Sequence, residues 1–324
     1  MEITRERIFS LLQTPFEELL AQAWAIRRQH HFSSISFAAP SAKHYEIDGY
    51  QNSPHAFAAI SLTGSSCALG CEHCKGKLLE SMAAVKNSRD LMERGERLRA
   101  AGCAGILLSG GADAQGEVPL LGWEEGIAGL KKTGLKIIVH TGLVSPETAR
   151  MLHRCQVDQV LVDVIGDGKT IRDVYHLDRN PDDYGESLRL LHAMGLYAVP
   201  HLVAGLHYGE IRGEYEALYQ IAQINPPILV IVVFNPLPGT PMAQVKGPLP
   251  EEVAQVIALA RILNPQSKVM LGCARPAGKK KKEIEHLALR AGVNGMAYPT
   301  EETVKLAGAL GLEASFSPLC CSLL

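Results

Sequence analysis

No apolar run in this 324-residue chain approaches the roughly 20 residues that a membrane helix needs, and Ile228 to Phe234 reads instead as a buried strand. The opening residues, Met1-Glu2-Ile3-Thr4-Arg5, lack the apolar stretch of a secretory signal. Neither sign of charge is in excess: the net charge of −2 makes no global case for nucleic acid or an anionic membrane as partner. No low-complexity linker divides the chain, so a single domain is expected, of the size α/β barrels often reach. What is present is ordinary in bulk, with 47% hydrophobic residues, ample for a buried core, and 20% charged residues. The eight cysteines are the exception. Clustered in unusual places and without an export signal, they point to a reducing cytoplasm and to metal ligation rather than disulfides.

Residues 4 to 30 read as helix, with Thr4 as N-cap and a second segment beginning at Pro15, soon followed by two glutamates. A polar connector, His30 to Pro54, contains Tyr45, Tyr50 and Asn52. Eight strand-like runs follow, alternating with helical patterns: Ala58–Thr63, Gly105–Ser109, Leu135–His140, Gln159–Val164, Leu196–Val203, Ile228–Phe234, Lys268–Gly272 and Val293–Ala297. Such continuous apolar runs between helices indicate a parallel sheet buried on both faces. Repeated at about 30-residue intervals, they predict an α/β fold, a closed (βα)8 TIM-type barrel, with a partial barrel of six strands as the alternative. The expected organisation is a helical extension over 1–54, the barrel over 55–311, and an apolar tail over 312–324 folded back over the barrel mouth.

Directly after the first run stands Ser66-Cys67-Ala68-Leu69-Gly70-Cys71-Glu72-His73-Cys74, with cysteines spaced C-x3-C-x2-C and no fourth cysteine nearby. Three thiolates can hold three irons of a four-iron cluster and leave one iron open for chemistry. A structural zinc site wants four ligands, usually in paired half-sites. His73 could join the cysteines, although adjacent residues 73 and 74 rarely both reach one tetrahedral metal. Scattered core cysteines are the remaining alternative, but this run is polar and glycine-containing. On this spacing the chain resembles the radical S-adenosylmethionine (radical SAM) superfamily. The resemblance implies a 4Fe-4S cluster on Cys67, Cys71 and Cys74, with SAM beside it.

Loops after the C-terminal ends of barrel strands converge on one mouth. After the second strand comes Ser109-Gly110-Gly111-Ala112-Asp113, where the resemblance implies that Gly110 and Gly111 let the backbone approach the methionine amino group of SAM; a plain tight turn explains two glycines as well. Asp113 stands one place beyond the usual acidic position. Asp163, at the fourth strand end, suits a ribose diol because a carboxylate accepts from both hydroxyls, or it serves as a helix N-cap. His140, at the third, is a polar contact or a packed histidine. The fifth run continues through Gly205 to Glu210, and the sixth ends in Pro238-Gly239-Thr240-Pro241. In the biotin synthase branch these two places carry a glycine turn ending in Glu, and a Pro-x-x-Gly-Thr-Pro segment. His73, Ser109, Gly205, Pro238, Gly239 and Thr240 are accordingly placed with the cofactor-binding residues.

The seventh strand ends in Gly272-Cys273-Ala274-Arg275, and the tail carries Cys320-Cys321-Ser322. These three thiols suffice for a second iron–sulfur cluster, with Ser322, Arg275 or a water as fourth ligand; three small core residues are the alternative. Cys103 and Cys155 fall before strands and read as structural. The segments Cys67–Lys77, Gly272–Pro276 and the Cys320-Cys321 tail are similar to one half of the two-protein lipoyl synthases. That resemblance implies a sulfurtransferase adding sulfur to an octanoyl chain on a lipoyl-carrier protein or peptide, at C8, together with a companion radical SAM protein and an electron donor such as ferredoxin or flavodoxin. An unactivated C–H bond gives acids, bases and nucleophiles no foothold, so cofactors would do the hard chemistry while the barrel excludes water. Methylation, rearrangement and metallocofactor maturation on the same scaffold are alternatives, as is a non-enzymatic iron–sulfur scaffold or electron carrier. Lys279 to Lys282 could dock an acidic carrier, or form an ordinary solvated first helical turn.

Overall fold

The computed structural model describes residues 3–324, so the first two residues of the helical extension lie outside the description. The chain opens with α1 (Arg5–Leu12) and α2 (Phe16–His30), and the Thr4 hydroxyl accepts from the Arg7 N–H as a helix cap. Then come β1 (Ser34–Ala38) and a small hairpin of β2 (Glu46–Ile47) and β3 (Tyr50–Gln51). The repeating part runs β4 (Phe57–Ser61), β5 (Ala83–Ala84), α3 (Ser88–Ala100), β6 (Gly105–Ser109), α4 (Glu124–Lys132), β7 (Lys136–His140), α5 (Pro146–Arg154) and β8 (Gln159–Asp163). It continues α6 (Gly168–Tyr175), α7 (Pro181–Ala193), β9 (Ala198–Ala204), α8 (Glu214–Ile224), β10 (Ile228–Val233), α9 (Pro250–Leu263), β11 (Lys268–Leu271), α10 (Gly278–Arg290), β12 (Gly295–Ala297), α11 (Glu301–Ala309) and β13 (Glu313–Ser317).

Eleven strands form one curled parallel sheet in the order β13-β1-β12-β11-β10-β9-β8-β7-β6-β4-β5. All eight expected runs are strands in it, in sequence order, as right-handed crossovers through helices require. Three strands of the sheet were not foreseen, and one of them, β5, is a two-residue edge beside β4. β1 lies within the connector, where Ile35 and Phe37 are buried alternately between serines. β13 is an edge strand of the tail, short and largely exposed, with no apolar run to announce it. The helical extension is therefore part of the barrel: β1 inserts between β12 and β13.

Side chains alternate along each strand, and the alternation sorts the core into two bodies. Ile137, Val139, Val160, Val162, Leu229, Ile231, Val269 and Leu271 face the helices. Ile138, Leu161, Val199, Val230 and Met270 face the lumen. The two sheet edges are not paired to one another among the described residues, and the connector seals that side. Asn52 donates to three carbonyls, of Ala39, Pro40 and Lys43, and accepts from the Tyr45 N–H. The Tyr298 hydroxyl donates to the Pro40 carbonyl at 2.7 Å, and Tyr50 stacks on Phe316 at 4.4 Å.

The tail folds back as expected and goes past the mouth. From β13 it turns into the lumen, where the turn Cys321–Leu323 packs against β10, β11 and β12. Gln159, at the start of β8, donates to the Ser322 carbonyl at 2.7 Å. Leu324 lines a recess with His31, Lys268 and Met270, so the tail traverses the lumen toward its N-terminal end. No helix among the described residues is long and apolar enough to cross a membrane.

Candidate active site

The cysteine loop leaves β4 and is clamped at several points. Gly64, Gly70, Lys75 and Gly76 all take positive φ, which lets the chain coil tightly enough to turn three cysteines to one side. The Ala68 N–H donates to the Ala112 carbonyl at 2.8 Å, and Thr63 accepts from the Gly111 N–H at 2.7 Å. Lys75 donates to the Gly70 carbonyl and pairs with Glu72, which also meets His176 beyond α6. Gly111 admits no side chain: a Cβ there would overlap the Ser66 carbonyl and lie 2.5 Å from the Cys67 Cβ. The second glycine of the pair thus serves close approach of the cysteine loop itself.

Cys67, Cys71, Cys74 and His73 line one cavity of about 230 Å³ that opens to solvent. Ser109, Gly110, Gly111, His140 and Asp163 line it too, as do Tyr175 and Tyr184, which the sequence reading had not singled out. Ligating atoms of Cys71, His73 and Cys74 lie within 4.8 Å of one another. The expectation that His73 and Cys74 would diverge is therefore not met. The buried His73 Nδ1 has no hydrogen-bond partner, and its ring packs 5.2 Å from Tyr175. Cys74 accepts a hydrogen bond from the Cys71 thiol, which brings its pKa down to about 4 and pushes that of Cys71 up. The donor set fits a cluster held by three thiolates: soft ligands on one loop, facing a large open cavity, where a structural zinc would be enclosed on all sides.

By parity Ser109, His140, Asp163 and His201 all face the lumen, one from each of β6, β7, β8 and β9. His140 Nε2 lies 3.4 Å from Asp163 Oδ1. Burial alone would lower the His140 pKa, but the Asp163 charge outweighs it and raises it; Asp163 is lowered against its own burial by His140 first, then His201 and His73. Burial and the neighbouring His140 charge bring His201 down to about 4. The lumen thus holds a histidine–carboxylate pair, each partner favouring the other's charged form, beside a second imidazole whose charged form is disfavoured. Asp163 caps no helix; Asp167 caps α6.

The other expected contacts lie elsewhere on the mouth. Gly205 has φ +79° at the end of β9, and its N–H is held by Glu214 at 2.7 Å. Glu214, not Glu210, closes this turn, accepting also from the Arg212 and Gly213 N–H groups. The sequence signal was a glutamate four residues further on. Pro238, Gly239 and Thr240 form a turn in which the Thr240 hydroxyl donates to the Leu237 carbonyl, outside the residues that line the cavity.

The second thiol group draws on two distant segments. Cys273 follows β11 and is exposed, while Cys320 and Cys321 descend in the tail. The charges of all three act on Tyr298. Cys320 accepts a hydrogen bond from Cys321, which lowers its pKa to about 6. Cys273, Cys320 and Cys321 do not all bring their sulfurs within 4.8 Å of one another as the ligating atoms of Cys71, His73 and Cys74 do, and Cys67 likewise lies outside that tight group. Arg275 is not free to be a ligand: it pairs with buried Glu285 at 2.6 Å and donates to the carbonyls of Gly272, Ala297 and Tyr298. Ser322 Oγ is fully buried without a partner. Cys103 and Cys155 are buried, with the Cys103 thiol donating to the Gly105 carbonyl.

Residues 230–307 match the biotin and thiamin synthesis associated domain family. The chain is similar to biotin synthase of Chromohalobacter salexigens, 26% identical over 320 residues, covering 90% of this chain and 75% of that protein. Biotin synthase of Vibrio cholerae is 22% identical, with 91% and 80% covered. Among solved structures, methylornithine synthase superposes with a TM-score of 0.62 at 14% identity, covering 97% of this chain and 95% of the other. The FeFe-hydrogenase maturase of Carboxydothermus hydrogenoformans gives 0.67 at 15%, covering 98% and 76%. Fold, cysteine loop and relatives together make the chain similar to radical SAM enzymes of the biotin synthase-like branch. That similarity would place a 4Fe-4S cluster on the cysteine loop and SAM in the adjoining cavity, which Cys67, Cys71 and Cys74 line.

Proposed function

We propose that this protein is a lipoyl synthase component, inserting sulfur into an octanoyl chain carried on a protein lysine, at C8. The observation that carries the reading is the course of the tail, which brings Cys320 and Cys321 into the lumen near Cys273, within the same barrel whose mouth holds Cys67, Cys71 and Cys74. A second cluster on Cys273, Cys320 and Cys321 would be the sulfur source, with the unpartnered Ser322 Oγ the side chain left as fourth ligand. When bound, the first cluster and SAM supply reductive cleavage and hydrogen abstraction.

The chain's own residues bind, orient and exclude water. Leu69, Leu78, Leu79, Val118, Leu143 and Leu177 give the cavity an apolar wall suited to an acyl chain. Asp163, held by His140, presents a carboxylate for the ribose diol, and Gly110 leaves backbone room near the methionine end. A companion radical SAM protein would complete the second insertion, with a ferredoxin- or flavodoxin-type donor supplying electrons.

Anaerobic incubation with SAM, reductant and an octanoyl-lysyl peptide, followed by mass spectrometry, tests the reading. One added sulfur with formation of 5′-deoxyadenosine supports it, and about eight irons per chain support the two-cluster form. If 5′-deoxyadenosine forms while the peptide stays unmodified, with and without a companion protein, a rearrangement or maturation reaction takes its place. About four irons would remove the sulfur donor.

A further inference from the structure

The barrel mouth is divided by charge. The loops after β1, β10 and β11 carry no carboxylate at all: residues 39–45, 234–249 and 272–282 contain Lys43, Lys246 and Lys279 to Lys282 but no Asp or Glu. On the other side, the loops after β6, β8 and β9 carry Asp113, Glu117, Asp167 and Glu210. The chain as a whole is near neutral, so this is segregation rather than excess.

The four-lysine run does not act as one unit. Lys281 turns inward to the Tyr298 carbonyl at 2.7 Å and to Glu285, while Lys282 pairs with Glu302 at 3.4 Å. Lys279 is 91% exposed, with only a long pairing to Glu283. Lys280 donates to the Gly247 carbonyl at 2.8 Å, next to exposed Lys246, which ties the β10 and β11 loops into one basic band. Lys43 lies over the Tyr298 ring at 4.2 Å and extends the band toward β1. Lys77 approaches Gly239 from the other end, and its neighbour Leu78 is an exposed lip of the cavity. The band therefore begins where the apolar cavity opens.

Its placement runs against helix stability. Lys279 to Lys282 occupy the first turn of α10, where the helix dipole favours acidic residues, and neither an acid in that turn nor a side-chain cap offsets them. Local disfavour of this kind is expected where a surface is shaped for a partner.

We infer that this basic band docks an acidic, folded carrier domain that presents its acylated lysine to the cavity at Leu78, an inference that rests on the acyl-carrier reading above. The partner's carboxylates would neutralise Lys43, Lys246, Lys279 and Lys280 and complete the N-terminus of α10. The test compares the wild type with Lys246→Glu/Lys279→Glu, both exposed and outside the cavity, on an octanoylated acidic lipoyl-carrier domain and on an octanoyl-lysyl peptide. Expected are a rise of roughly tenfold in KM and in Kd for the carrier domain, unchanged kcat, unchanged peptide kinetics, and restoration by acid-to-lysine changes on the carrier. Carrier binding in the wild type should also weaken between about 50 and 300 mM salt. Equal effects on both substrates, or none on the carrier, would overturn the inference. So would RNA binding that is tighter than carrier binding and is the only binding the variant loses. Binding of the carrier domain without its acyl group scores docking independently: if wild type leaves the octanoyl peptide unmodified, the acyl reading fails while docking stands or falls on Kd.

Discussion

The two thiol groups of this protein are built in opposite ways. Cys67, Cys71 and Cys74 sit within one loop, and that loop is clamped by local hydrogen bonds and by a glycine from the next strand. Cys273, Cys320 and Cys321 come from two places in the chain and meet only because β13 pairs with β1 and turns the tail inward. The first group is preformed once its βα unit folds; the second depends on the whole sheet being complete. A group whose irons are to be kept through many turnovers benefits from the first design. One whose ligands must be reached and reloaded fits the second.

The largest expected effect separates the groups by reaction stage. Cys71→Ala should abolish both 5′-deoxyadenosine formation and product, because it removes the buried one of the loop's three thiols, and an imidazole from His73 would not supply the lost thiolate charge. Cys320→Ser or Cys321→Ser should leave 5′-deoxyadenosine formation within a few-fold of wild type while sulfur insertion falls to background and iron drops toward about four per chain. If Cys320→Ser lost SAM cleavage as completely as Cys71→Ala, the two groups would not be functionally distinct.

A smaller effect compares the glycines that make room for each group. A Cβ on Gly111 meets the Ser66 carbonyl and the Cys67 backbone, atoms that cannot move without shifting the cysteine loop. A Cβ on Gly272, beside Cys273, meets methyl groups of Val232 and of Val230, the latter at 2.9 Å. Overpacking against backbone should cost about 3 kcal/mol, and against side-chain ends about 1 kcal/mol. Gly111→Ala should therefore lower Tm clearly more than Gly272→Ala, and should also reduce iron loading at the first group. Equal Tm losses would show that both loops yield alike.

The same contrast explains what could be read from the chain. The cysteine loop was legible because its three cysteines fall within eight residues, and the eight apolar strands because burial on both faces demands unbroken apolar runs. β1 and β13 escaped because they are short and serine-bearing, and β13 is held in the sheet through β1 alone, with Phe37 and Phe316 as register partners. Without that pair the tail could be drawn over the mouth but not down the lumen. Glu214 was hidden by Glu210, since a glycine turn with two glutamates does not say which side chain folds back. Arg275 looked available as a ligand until its buried partner, Glu285 on α10, was placed against it.

The finest test lies between the groups, at His140 and Asp163, where the polar strip of the lumen separates the cavity from the tail. His140 is raised by Asp163 against the lowering effect of burial, so the pair stabilises the fold fully at pH below the ordinary histidine value, and that contribution is lost as pH rises through the raised His140 pKa. Asp163 is lowered, so its own contribution is present above the ordinary aspartate value and fades only as pH falls through its depressed pKa. The pair is therefore intact across mildly acidic pH and weakens toward the alkaline side. Melting curves of wild type and His140→Gln between about pH 5 and 9 should differ most at the acidic end and converge at the alkaline end. The same variant should weaken SAM binding more than it slows a bound turnover, since glutamine can hold the carboxylate in place without pairing its charge. A constant Tm gap across that range would mean that His140 is only packed, and that Asp163 is held ready for the ribose by something other than charge.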